Sequence, residues 1–495
     1  MNLASVLLGP ARTAPDSVAI RAQHDVTYGD LALRAGRLAR LLSDDVRTGE
    51  RVALLASNDE SFVVAYLATL ACGAVAVPLN PSAPAPELGR ELALVEPALV
   101  LRGPDVGAQL AAPDVAAVVS RVVDVSDPAG DGLEPLVPVP RDDDDLAVLL
   151  FTAGTSGAPR AAMLSHGNLG ANIAQLQSHP STRRTSDDVV LGVLPFFHVY
   201  GLNVVIGVAL AVGASIVPVA HFDARDTAHV VEREAVTVIA AVPTIYRSWL
   251  ELPDDTVTRA TFASVRLAVS GAAPLDPQLA SAFHARFGVT LHDGYGLTET
   301  SPVVTTSVVG DIPRAGSIGV AIPGVDVRLV DADGTDVLVG DPGEIWVRGP
   351  NVFRGYWRDD AATAAACTDD GWLRTGDVAV ADDEGSLRLV DRLRDLVIVS
   401  GFNVFPAEVE DVLGAHPDVR DVAVVGVPDP RTGERLRAYV VPERDRVTDD
   451  ETLRRELASH AHERLARYKC PDEIEVTATL PRGLSGKLLR RRLER

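Results

Sequence analysis

TYGDLALRAGRLARLL, Thr27 to Leu42, opens on a hydroxyl residue suited to cap a helix and sets Leu31, Ala35, Leu38 and Leu42 at i, i+4, i+7 and i+11. The spacing predicts an amphipathic helix with that stripe buried. An apolar strand is expected at Val52–Ala56, a helix through Ala65–Cys72, and a short strand at Ala74–Val77 closed by Pro78. The same alternation recurs to about residue 300, which predicts an α/β fold of stacked, mostly parallel sheets with helices. Past about residue 320, DVRLVDADG and GEIWVRG predict short strands of a small antiparallel β subdomain. The last stretch predicts strands near Val422–Val427 and Arg435–Val441 and a helix bearing Leu453, Leu457, Ala461 and Leu465, a small α+β unit. The expected domains are therefore 1–391 and 392–495.

A chain of 495 residues exceeds what one core supports and suits a large domain with a smaller partner. Its formal charge of −22 opposes nucleic acid or an anionic membrane as main partner. Cys72, Cys367 and Cys470 are widely spaced, so no disulfide framework or structural zinc is expected, and a reducing cytoplasm suits them. The apolar stretch Ala4–Leu8 is too brief for a secretory core. Gly201–Ala220 matches a bilayer in length, but Gly207, Gly213 and Pro218 break it into a buried helix and a strand at Ser215–Val219. The run Asp142–Asp145 reads as a solvated turn before the strand Leu146–Phe151.

FTAGTSGAPRAAMLSH, Phe151 to His166, ends an apolar strand in a loop where Gly154 and Gly157 let backbone amides approach an anion. Thr152, Thr155 and Ser156 add hydroxyl donors and Arg160 a charge, which suits a polyphosphate. Read alone, such a stretch is also compatible with a surface loop, and it lacks the Walker spacing. DGYGLTETSP, Asp293 to Pro302, can present Tyr295 to a base beside Gly296, Thr298 to a phosphate and Glu299 to a hard cation.

These two segments resemble the phosphate loop and Y-G-x-T-E motif of the adenylate-forming superfamily, in its acyl-CoA synthetase branch. Ala153, Ser156, Arg160 and Ala161 depart from the usual residues of the loop; the second motif matches fully. Arginine keeps the loop's charge but is bulkier than lysine. The resemblance runs from about residue 10 to the end. It implies ATP, Mg²⁺ held by Glu299, and coenzyme A as co-substrate. It further implies a ribose-binding Asp377 in RTGDVAV and Arg392 in VDRLRDLVIVSGFNVFPAEVE. Lys487, in LPRGLSGKLLRR, resembles the lysine that enters the adenylation site, and the C-terminal domain is expected to swivel, with Arg394 at the pivot. Gly401, Phe402 and Asn403 would line the pantetheine tunnel after rotation.

The acyl pocket is expected from LPFFHVYGLN, AAVPTIY and VSGAAPL, with His198 as a gate and Tyr200, Gly201, Val242, Gly271 and Ala272 as walls. Amino-acid-activating relatives carry an aspartate within the FFHVYG segment, and none stands here; malonate-activating relatives carry an arginine where Gly294 stands. The expected reaction is ATP-dependent acyl-CoA ligation of a medium or long-chain fatty acid or a similar apolar acid, by a monomer or homodimer. The alternatives are a ligase loading a stand-alone acyl carrier protein, or a catalytically impaired nucleotide- or acyl-binding homologue.

Overall fold

The computed structural model describes residues 1–493 apart from 105, 127–131, 153–158, 309–313, 315, 393–396, 400–401, 405, 430–432, 445–448, 466 and 484–487. At 108, 391–392, 398, 402–403, 433, 468 and 491 it describes the backbone alone. Two compact units emerge: residues 1–315, 319–326 and 347–373, and residues 316–318, 327–346 and 374–495.

The first unit contains two sheets. The larger has nine strands in the order Val320–Ala321, Val303–Thr306, Leu291–Gly296, Leu267–Gly271, Val238–Ala241, Val189–Gly192, Ser215–Pro218, Val18–Ile20, Val26–Thr27. The run from Leu291–Gly296 to Val18–Ile20 is parallel. Its central strands VVLG, VIAA and LAVSG are almost wholly buried, as strands covered on both faces must be. The six-stranded sheet runs Val122–Asp124, Leu99–Arg102, Arg51–Leu55, Val75–Pro78, Leu146–Thr152, Arg160–Ser165, parallel except for its last pair.

The helix expected after Thr27 spans Tyr28–Ser43, and the Thr27 side chain accepts the Asp30 N–H as its cap. Leu31, Ala35, Leu38 and Leu42 are buried. They face the helix Glu60–Ala71, in which every residue from Phe62 to Ala71 is buried. A helix apolar all round is a core helix, which explains why the strands beside it are short and apolar.

The Gly201–Ala220 segment divides as expected, but its first part, Tyr200–Gly207, is a π-helix, continued by an α-helix Val208–Val212 and the strand Ser215–Pro218. Among the described residues no helix is long and apolar enough to cross a membrane. The aspartate run forms surface ion pairs: Arg354–Asp144 at 2.8 Å, Arg141–Asp145 at 3.2 Å, and the N-terminal ammonium with Asp143.

Most residues of a four-stranded sheet, Asp326–Val330, Gly343–Arg348, Leu373–Ala381, Leu387–Arg392 in that order, belong to the second unit. Its other sheet has five strands, with the long antiparallel pair Val419–Asp429 and Gly433–Pro442. Helices Pro406–Gly414 and Asp450–Arg464 lay Val409, Leu413, Leu453, Leu457 and Ala461 on Val424, Leu436 and Val440.

Candidate active site

In an open parallel sheet, loops leave the carboxyl ends of the strands and ligands bind there. In the nine-stranded sheet that edge carries one group of the residues picked from the sequence: His198, Gly271, Ala272, Asp293, Tyr295, Gly296, Thr298 and Glu299. Gly271 and Gly294 are partners in adjacent parallel strands, as are Ser270 and Asp293. A β-carbon on Gly271 would lie 3.0 Å from the Tyr200 ring, so the phenol packs directly on that strand end. Ala272 follows in the left-handed region at φ 64°, unusual for a residue with a β-carbon, and Val242 caps the helix Pro243–Leu250 at the end of the next strand.

His198 lies at the mouth of the π-helix. Its N–H donates to the Pro195 carbonyl at 3.1 Å and its Nδ1 accepts the Tyr200 N–H at 3.2 Å. Asn58, at the end of a strand in the other sheet, holds this loop: Nδ2 donates to the Leu194 carbonyl at 2.7 Å, and Oδ1 accepts the Phe196 N–H at 2.8 Å. A buried guanidinium, Arg184, donates to the Val204 carbonyl within the π-helix.

The strand Leu291–Gly296 runs into a single 3₁₀ turn, Thr298–Thr300. Gly296 is forced, since a β-carbon there would lie 1.9 Å from the Pro302 carbonyl oxygen. Tyr295 is buried and pairs in register with Thr305, while Thr298 and Glu299 are half-buried. Asp293 is buried; its backbone N–H donates to Ser307 Oγ at 2.6 Å, and desolvation pushes its carboxyl up to about 7. Glu299 is gripped twice by one segment: Phe353 N–H donates to its carbonyl at 2.8 Å, and Tyr356 Oη donates to its Oε1 at 2.7 Å.

Tyr356 also reaches the other motif. The Arg160 guanidinium lies over its ring, 5.8 Å from the centroid, and pairs with Asp359 at 3.2 Å. Thr152 and Arg160 are antiparallel partners flanking the glycine-rich loop. The two motifs, about 140 residues apart in the chain, thus meet through one tyrosine in one unit. Behind the turn, the helix His166–Ser178 turns Asn168, Asn172 and Gln175 inward: Asn172 exchanges hydrogen bonds with the Val303 backbone, and Asn168 donates to the carbonyls of Pro350 and Val352.

Sequence reading missed Asn58, Asn168, Asn172, Asn351, Tyr356 and Asp359. A polar stripe at helical spacing reads as a solvent face, and FRGYWRDD reads as a turn. Of the residues it picked, Gly154, Thr155, Ser156, Gly157, Arg394, Gly401 and Lys487 lie outside the described residues. In the second unit Asp377 is buried on the strand Leu373–Ala381, its N–H donating to Thr375 Oγ1 at 3.1 Å, with Arg392 as its antiparallel register partner. Phe402 and Asn403 are opposite Val399 and Ile398 in a hairpin.

Among the described residues no three His, Cys, Asp or Glu side chains converge as a metal cage. A lone carboxylate with one oxygen already engaged fits a magnesium ion that arrives on nucleotide phosphates, and Glu299 would hold it.

Residues 9–357 match the AMP-binding enzyme family and 408–487 match the AMP-binding enzyme C-terminal domain. The chain belongs to this family, in the acyl-CoA synthetase branch of the adenylate-forming superfamily, and is an AMP-forming acid–thiol ligase. It is 38% identical to a feruloyl-CoA synthase of Amycolatopsis sp. over 98% of this chain and 97% of that one. A long-chain-fatty-acid–CoA ligase of Bacillus subtilis (strain 168) is 30% identical over 99% of this chain and 94% of its own. Among solved structures, ATP-bound MatB from Rhodopseudomonas palustris superposes with a TM-score of 0.92 at 34% identity, covering 100% of this chain and 98% of that one.

Proposed function

We propose that the protein joins an apolar carboxylic acid to coenzyme A in two half-reactions. In the first, a carboxylate oxygen attacks the α-phosphorus of ATP, the bond to pyrophosphate breaks, and an acyl-adenylate forms. In the second, the CoA thiol attacks the acyl carbonyl, the bond to AMP breaks, and the thiol proton leaves to solvent. The observation that carries this reading is the convergence of the glycine-rich loop's flanking strand and the Thr298–Glu299 turn on Tyr356.

Two anions must meet in the first step, so positive charge and donors have to be in place beforehand. Arg160, the amides and hydroxyls of Thr152 to Gly157, and Thr298 serve the phosphates; Asp293, Tyr295 and Gly296 serve the base. Glu299 would hold the magnesium ion, which would supply charge to neutralise the phosphate oxygens. Asp377 and Arg392 hold the ribose, and Lys487 bridges carboxylate and α-phosphate. Thioester formation needs Lys487 withdrawn, so residues 392–495 swivel about Arg394, and Gly401, Phe402 and Asn403 then receive the pantetheine arm.

His198, Tyr200, Val242, Gly271 and Ala272 enclose the acyl group. An aryl acid such as a hydroxycinnamate is the first choice of substrate, supported by the full-length feruloyl-CoA synthase relatives. A medium or long-chain fatty acid is the second, supported by the fatty-acid ligases. The setting is the cytoplasm, and the working form a monomer or homodimer. Incubating the protein with ATP, Mg²⁺ and CoA against an acid panel, with products weighed by mass spectrometry, tests this. Acyl-CoA from aryl or fatty acids supports it. Product with holo acyl carrier protein and none with CoA would move the acceptor, and nucleotide binding without adenylate from any acid would overturn the reading.

A further inference from the structure

A buried phenol needs an acceptor, and a backbone carbonyl usually suffices. Tyr246 does this, donating to the Val269 and Ile239 carbonyls. Half-buried Tyr356 instead donates to a carboxylate, and to the one carboxylate of the Thr298–Thr300 turn. Its own placement is fixed from several sides. Its backbone bridges to Ala162 on the strand that leaves the glycine-rich loop, and its N–H donates to Thr363 Oγ1 at 2.9 Å. Its ring meets Phe353 edge-to-face at 4.9 Å, and Phe353 is the residue whose N–H holds the Glu299 carbonyl. Gly355 before it has φ 111°, a backbone state that favours glycine and sets the turn delivering the phenol.

We infer that Tyr356 is a positioning residue for the Glu299 carboxylate: by engaging Oε1 it leaves Oε2 as the oxygen that meets a magnesium-bound nucleotide. The cation above its ring, Arg160, is held there by Asp359. A guanidinium over the ring polarises the phenol toward donation, so the charge at the edge of the phosphate loop strengthens the bond that aims Glu299. Loop and metal ligand are set together.

This inference rests on the proposed nucleotide chemistry but is tested without turnover. ATP is titrated calorimetrically into wild-type protein and Tyr356→Phe, once with excess Mg²⁺ and once with EDTA. Tyr356→Phe keeps the ring and removes the donor; a hydrogen bond to a charged group corresponds to about a tenfold loss. We expect the tightening of ATP by Mg²⁺ to fall about tenfold in the variant, with binding in EDTA within about twofold of wild type. Glu299→Gln is the second arm: once the carboxylate is gone, adding Tyr356→Phe costs nothing further. An unchanged Mg²⁺ effect in folded Tyr356→Phe would overturn the inference, as would an equal loss in the Glu299→Gln background. A drop in thermal midpoint with uniform weakening of both titrations would make the phenol a packing group only. Failure of every acid to yield an adenylate, with the expected fall of the Mg²⁺ effect in Tyr356→Phe observed, would count against the proposed function alone.

Discussion

Asn351 donates from Nδ2 to the Thr300 carbonyl at 2.8 Å, tying the residue after Glu299 to a segment some fifty positions further along the chain. Its own carbonyl accepts Ser301 Oγ at 2.8 Å, and the side chain is fully buried. The turn that carries Thr298 and Glu299 is therefore anchored at its Thr300 and Ser301 end by Asn351.

Asn351→Ala leaves the buried Thr300 carbonyl without its donor. We expect a loss of about 2 kcal/mol, read as a lower thermal midpoint, together with weaker Mg-dependent ATP binding. A midpoint unchanged within about 1 °C would contradict the role given to this side chain.

Much of this architecture was legible in the chain. The Thr27 cap, the buried stripe of Tyr28–Ser43 and the Ser215–Pro218 strand follow from local pattern, with ends shifted by a residue or two. The second nucleotide motif was legible because a glycine forced by close approach, Gly296, leaves a mark in sequence. What was hidden depends on distant partners. The π form of Tyr200–Gly207 has an Arg184 donor at Val204, and the inward stripe of Asn168, Asn172 and Gln175 answers backbone groups more than 130 positions away. Tyr356 gave no sign, since its meaning lies in an acceptor 57 positions earlier.

His166 is buried, with Nδ1 accepting the Leu3 N–H at 3.1 Å; burial first, then the Arg141 and N-terminal cations, pull its pKa from 6.5 down to about 4. The unfolded chain takes up the proton first, so its contribution is whole above pH 6.5 and is lost as pH falls through 4. The size is about 3 kcal/mol. His166→Gln, whose amide oxygen can accept the same N–H, should lose less stability than wild type between pH 6.5 and pH 4, measured by denaturant titration. Parallel curves would contradict this.

Asp293 titrates in the opposite sense. Its folded pKa of about 7 lies above the ordinary 3.8, so the fold holds the proton longer and stability falls as pH rises from 3.8 to 7. Asp293→Asn removes a penalty on the order of 4 kcal/mol above pH 7 and almost none near pH 4. We expect a higher thermal midpoint for the variant at pH 8 and coincident midpoints at pH 4; a variant less stable at pH 8 would contradict the desolvation account.

We propose that acid activation is driven by charge brought from the C-terminal domain by Lys487. Acid-dependent exchange of labelled pyrophosphate into ATP, run without CoA, isolates that step. We expect exchange in the wild type with an aryl or fatty acid and Mg²⁺, and a fall of roughly 10²–10³-fold in Lys487→Ala, while thioester formation from supplied acyl-adenylate is retained. Exchange in Lys487→Ala at the wild-type rate, or exchange that needs no acid, would contradict it.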